Sequence, residues 1–207
     1  MPASSGLCSQ ARVRRPDGAA GHAVGFVASA GGVVALGDVL SGLPADLDAA
    51  VIVVLHLLPE HRSHLAEILA RQTHLRVKEA ASGDLLEPGW VYVAPPDAHL
   101  VVEEDATLSL RAEAPVRYVR PSGDVLLESL ASAYGGNCMA VVLTGLGSDG
   151  TAGSRAVKEA GGTVLAQDEA TAEFFAMPHA AIKAGLVDRV LPLAEIGPAV
   201  VDFVAAR

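Results

Sequence analysis

The sequence predicts an α/β fold: a single doubly wound, mostly parallel sheet flanked by helices, with an antiparallel hairpin at one edge. Three observations carry this. Short apolar runs alternate with amphipathic stretches along most of the 207 residues. The 21 glycines and the 4% aromatic content suit close α/β layers better than an aromatic-rich β-sandwich. In the middle of the chain, strand-like runs follow one another with only turns between them.

Residues Met1 to Gly21 mix Pro, Ser, Gly and Arg without periodicity and read as a flexible leader, so the domain is expected over 22–207. From there Ala23 to Ala28 reads as a strand, Val33 to Leu43 as a helix, Val51 to Leu55 as a strand and Ser63 to Gln72 as a helix. Gly89 to Ala94, Leu100 to Glu104 and Thr107 to Leu110 are the strands of the middle section, and the first is read as an edge strand. Ser122 then caps a helix Asp124 to Tyr134, which Gly135 and Gly136 stop. Strand Met139 to Leu143, helix Ala152 to Ala160, strand Thr163 to Gln167 and a last helix Ala194 to Ala206 complete the alternation.

Bulk properties narrow the partners. Apolar residues make up 51% of the chain, enough for a full core, and the net charge of −9 repels phosphate backbones and anionic membranes. Nucleic acid and membrane insertion are therefore not expected. Cys8 and Cys138 lie in unrelated settings, one in the leader and one in an apolar run, which speaks against a structural disulfide. With no apolar signal segment, the expectation is a cytoplasmic protein.

Ligands of an open parallel sheet bind beyond the carboxyl ends of its strands. Ser29 directly follows the first strand and precedes Ala30-Gly31-Gly32 and a helix, the setting of an exposed nucleophile whose neighbouring amides, at Ala30 and Gly31, can stabilise an oxyanion. The same serine would also serve as an N-cap. His56 ends the strand VIVVL and could act as base to Ser29, or be a structural histidine. The loop Thr144 to Gly150 (TGLGSDG) reads in two ways. Asp149 can orient the imidazole or cap the following helix, and Gly145, Gly147 and Gly150 have dinucleotide-fingerprint spacing, with Asp168 at the end of the next strand as the ribose-binding acid. Asp149 counts against the dinucleotide, because it would put a carboxylate where pyrophosphate belongs. His61 and His64 have ligand spacing but no third ligand nearby, so no metal is expected. Serine, histidine and aspartate at three strand ends point to a hydrolase that needs no cofactor.

Six ordered motifs make the chain resemble the catalytic domain of the CheB-type protein-glutamate methylesterase family, from about Ala23 to Leu193. They are Ala28-Ser29-Ala30-Gly31-Gly32, VVLHLLP around His56, GWVYVAPP with His99-Leu100, Arg120-Pro121-Ser122 with Asp124, LTGLGSDG around Asp149, and Ala166 to Glu169 before Met177-Pro178. The resemblance implies hydrolysis of γ-glutamyl methyl esters on methylated receptor helices or another protein, with glutamine deamidation at the same sites. It places the triad on Ser29, His56 and Asp149, and adds Leu146 and Gly147 to Ala30 and Gly31 around the oxyanion. Three positions depart from the family pattern. Val27 stands where glycine is common, Ala30 where threonine often follows the serine, and Leu146 where methionine is usual. If these changes disable the turn, a degenerate protein-binding module is the alternative. The family's receiver domain has no counterpart in the 21-residue leader, which implies control by a separate regulatory protein.

Overall fold

A computed structural model describes residues 16–56 and 63–206. Nine strands and six helices run β1 (His22–Ala28), α1 (Gly32–Ser41), β2 (Ala49–Leu55), α2 (Leu65–Ala70), β3 (Arg76–Glu79), β4 (Trp90–Val93), β5 (His99–Val102), β6 (Leu108–Arg111), α3 (Gly123–Tyr134), β7 (Cys138–Val142), α4 (Thr151–Glu159), β8 (Thr163–Gln167), α5 (Ala176–Lys183), β9 (Arg189–Leu191) and α6 (Leu193–Ala205) among these residues. A short 3₁₀ turn at Gly135–Asn137 follows α3.

Seven strands form one sheet in the order β3-β4-β2-β1-β7-β8-β9, with every adjacent pair parallel. The central strands are buried along their whole length, and their alternate residues feed two cores. Val24 and Phe26 of β1 and Val51 and Val53 of β2 pack with α1, α2 and α6 on one face. Ala23 and Val27, with Ile52 and Val54, pack with α3, α4 and α5 on the other. That two-residue alternation is the pleat of a sheet covered on both sides. Contact with the fold begins ahead of β1, since Ala20 is fully buried and its N–H donates to Leu86 O at 2.7 Å. The leader over residues 1–15 lies outside the described residues, and Cys8 with it. Cys138 is buried, and its thiol donates to Gly135 O at 3.1 Å. Among the described residues, no helix is long and apolar enough to cross a membrane.

The middle of the chain differs from expectation in two respects. The segment Gly89 to Ala94 supplies β4, which is interior because β3 lies outside it. The sequence of β3, RVKE, is polar because an edge strand is half exposed, so it carries no apolar signal. The hairpin β5-β6 is an antiparallel sheet of its own, packed against α3 rather than hydrogen-bonded to the seven strands. Two further elements carried too little periodicity to be read: the three residues of β9, and α5, eight residues long with Pro178 in its first turn.

From β1 the chain crosses by α1 to β2 on one side, whereas β7, on the other side of β1, is followed by a crossover through α4 on the opposite face. The strand order therefore reverses between β1 and β7, and in open α/β sheets ligands bind beyond the carboxyl ends of the strands at such a point.

Candidate active site

Main-chain hydrogen bonds extend the sheet one step past its strands and fix the two residues that follow β1 and β2. Ser29 N donates to Thr144 O at 3.0 Å, and His56 N donates to Ala28 O at 3.2 Å. Because Ala28 pairs with Leu55, Ser29 and His56 are the next register partners, one strand spacing apart at about 5 Å. The alternation that puts Val27 and Val54 on the α3 side carries both residues to that side.

Ser29 is not a helix cap. The N-cap of α1 is Gly31, at φ 76°, in the left-handed region that favours glycine. A side chain on Gly31 would also meet Glu173 and Thr144 Oγ1, at 2.7 Å and 3.2 Å from its Cβ. Ser29 thus stands in the turn ahead of the helix, half-buried. Thr144 Oγ1 ties this turn to its neighbour by donating to Ala30 O at 3.0 Å and accepting from Phe174 N at 2.9 Å. Thr144 N in turn donates to the buried Gln167 Oε1 at 2.8 Å.

His56 Nε2 lies 2.8 Å from Asp149 Oδ2. With a carboxylate as acceptor, Nε2 carries a proton, and in the neutral imidazole Nδ1 keeps its lone pair. Asp149 is 4% exposed and accepts three more hydrogen bonds: from Ser122 Oγ at 2.8 Å, Gly123 N at 2.5 Å and Asp124 N at 3.0 Å. The last two are free amides of the first turn of α3, whose positive end faces the carboxylate. Burial on its own would raise the Asp149 pKa, but the hydrogen bonds from His56, Asp124 N, Gly123 N and Ser122 outweigh it and hold the carboxyl below its ordinary value.

Asp149 therefore caps a helix, but not the one expected. The N-cap of the following helix, α4, is Gly150, while the Asp149 side chain caps α3. Asp124, from the first turn of α3, returns the exchange by accepting from Gly153 N of α4 at 2.9 Å. Ser122 is the N-cap residue of α3, as expected, but its hydroxyl makes no cap bond and donates to Asp149 instead. Burial pushes the Asp124 carboxyl up, and its second oxygen faces Arg117 Nε at 3.7 Å. Arg117 also donates to Ser148 Oγ at 2.9 Å.

The amides of Ala30, Gly31, Leu146 and Gly147 have no hydrogen-bond partner among the described residues. Leu146 is 58% exposed beside them, on the loop that follows β7. The Gly145-to-Gly150 loop is otherwise engaged: Gly145 N donates to Phe174 O, and Asp149 is committed to His56 and α3. Asp168 accepts from Thr171 N and Oγ1, closing a local turn instead of facing the loop as a ribose-binding acid would. His64 pairs with Glu67 at the surface, and His61 lies outside the described residues. Among the described residues, no three His, Cys, Asp or Glu side chains cluster as metal ligands.

Sequence reasoning missed the roles of Ser122, His99, Thr144 and Gln167. His99 is buried and accepts from Ser122 N at 3.2 Å. The motifs Arg120-Pro121-Ser122 with Asp124, His99-Leu100, LTGLGSDG and Ala166 to Glu169 carried these residues without showing their contacts.

A family model described as CheB methylesterase matches residues 24–200. A protein-glutamate methylesterase/protein-glutamine glutaminase of Moorella thermoacetica is 45% identical over 180 residues, covering 85% of this chain and 42% of the relative. One from the group 3 operon of Rhizobium meliloti is 42% identical over 184 residues, covering 89% of this chain and 52% of the relative. The crystal structure of the Thermotoga maritima CheB methylesterase catalytic domain superposes with a TM-score of 0.85 at 36% identity, covering 88% of this chain and 98% of that one. The chain spans about half the length of the curated relatives it matches.

Proposed function

Because this chain belongs to the CheB methylesterase family, we propose that it hydrolyses γ-glutamyl methyl esters on a methylated receptor helix, releasing methanol, and deamidates glutamine at the same sites. The relatives' names support the reaction class. The observation that carries the reading for this chain is the bond from His56 Nε2 to a buried Asp149, at the end of the strand beside Ser29.

In this reading Ser29 Oγ attacks the ester carbonyl and His56 Nδ1 takes its proton, while Asp149 stabilises the imidazolium. The amides of Ala30, Gly31, Leu146 and Gly147 are the donors available to the tetrahedral oxyanion. Collapse expels methanol with the proton from His56 and leaves an acyl-enzyme at Ser29. Water, deprotonated by the same imidazole, then releases the glutamate carboxylate. Ala30 in place of threonine keeps its backbone donor. Val27 in place of glycine is fully buried beneath the turn, where it packs on α3.

A protein substrate is favoured by the apolar side chains left exposed around the site: Val33 and Val34 in the first turn of α1, Leu146, and Tyr118 in the segment before α3. The test is methanol release from a methyl-esterified receptor fragment, with labelling of Ser29 by a serine-directed phosphonate. Neither methanol nor labelling from folded protein would overturn the reading.

A further inference from the structure

The hydrogen bonds around Asp149 include one donor that neither the helix nor the proposed triad requires. Ser122 Oγ is fully buried, and its hydroxyl is directed to Asp149 Oδ1 at 2.8 Å. As the N-cap residue of α3 it would ordinarily turn that oxygen to accept from the helix's own amides. Here the amides of Gly123 and Asp124 donate to the Asp149 carboxylate, and the hydroxyl donates to the same group. Its backbone is held from behind, because Ser122 N donates to His99 Nδ1 and His99 Nε2 donates to Ala114 O at 3.1 Å.

We propose that Ser122 is a positioning residue for the proposed reaction: its hydroxyl fixes the rotation of the Asp149 carboxylate and partly neutralises it, which sets the proton affinity of His56. The proposal rests on the triad reading above. Oδ2 is shared by His56 and Gly123 N, so the carboxylate presents it at the correct angle only while Oδ1 is pinned on the other side. Ser122 Oγ and Asp124 N are the two donors that pin it. Removing the hydroxyl takes away the positive end of a dipole beside the carboxylate and leaves its negative charge less compensated. The imidazolium of His56 is then favoured, so its titration moves to higher pH. Among the described residues, the other charged or titratable groups facing the pair are Asp124 and Glu128 on α3, Arg117 in the segment before it, and His99 on β5, all of which the substitution leaves in place.

The test follows the His56 imidazole by NMR titration in the parental protein, Ser122→Ala and Ser122→Thr, a readout that needs no turnover. The alanine variant is expected to titrate at higher pH than the parental protein, with threonine, which keeps the hydroxyl, returning toward the parental midpoint. Turnover on the methyl-esterified fragment should fall about tenfold in kcat with KM held in Ser122→Ala. Leu40→Ala, in the core on the opposite face of the sheet, loses stability without moving the midpoint and so separates positioning from simple destabilisation. Should the alanine variant not fold, Ser122→Cys keeps the volume with a weaker donor and carries the same comparison. An unmoved midpoint in the folded variant overturns the proposal. A moved midpoint in a protein with no esterase activity supports it and locates the failure in the substrate reading instead.

Discussion

Val27 occupies the space that a side chain on Gly123 would need: a Cβ built on Gly123 would lie 2.2 Å from Val27 Cγ1 and 3.1 Å from Asp149 Oδ2. The residue under the Ser29 turn and the first residue of α3 are thus fitted to each other. Val27→Ala and Gly123→Ala are each expected to cost roughly 1–3 kcal/mol, the first by opening a cavity and the second by overpacking. The double variant should be more stable than the sum of the two by at least about 0.5 kcal/mol, measured by urea unfolding. Strict additivity would mean that the two sites do not share this space.

Ser29→Ala and His56→Ala are each expected to lower ester hydrolysis by several orders of magnitude, while Asp149→Asn keeps more residual turnover. Initial rates on one substrate preparation, with circular dichroism to confirm folding, check this order. Near-parental turnover by the serine variant would remove Ser29 from the reaction.

Acid should weaken the fold through Asp149. Its folded pKa lies below the unfolded carboxylate value of about 4, so its contribution to stability is complete above that value and is lost as pH falls through the folded pKa. Asp124 has the opposite sign: its raised folded pKa means that protonation relieves a cost. Thermal unfolding followed from neutral pH to about pH 2 should therefore show a shallower acid limb in Asp149→Asn than in the parental protein. Parallel limbs would contradict the direction assigned to Asp149.

Thr144→Val keeps the shape of the side chain but removes the oxygen shared by Ala30 and Phe174. Leaving the partly buried Phe174 N–H unpaired should cost about 1–3 kcal/mol. With the Ser29 turn untied from its neighbour, kcat should fall more than stability alone explains when rates are compared well below the unfolding temperature.

What the sequence made legible followed from burial. Strands β1, β2, β7 and β8 lie inside the sheet and read as apolar runs, and the residues that follow them were found by asking what stands at strand ends. Strand β3 is polar because one edge is wet, and α5 is short and carries Pro178, so neither offers a period to read. The local reading offered the following helix as the alternative partner of Asp149, where the structure has α3, and it gave the Ser122 hydroxyl to the helix rather than to Asp149. Those two residues are 27 apart in the chain, and only the close approach of α3 and α4 brings them together. Gly153 permits that approach, since a Cβ there would lie 2.5 Å from Leu127 Cβ.

The exchange of carboxylates between the starts of α3 and α4 ties the bond from His56 to Asp149 to the docking of these two helices. A chain with its seven strands paired but these two helices undocked would hold Ser29 and His56 side by side with no anion behind the imidazole. If the proposed triad operates, turnover is expected to report a docked molecule, and fraying the start of either helix is expected to slow the chemistry before it loosens the sheet.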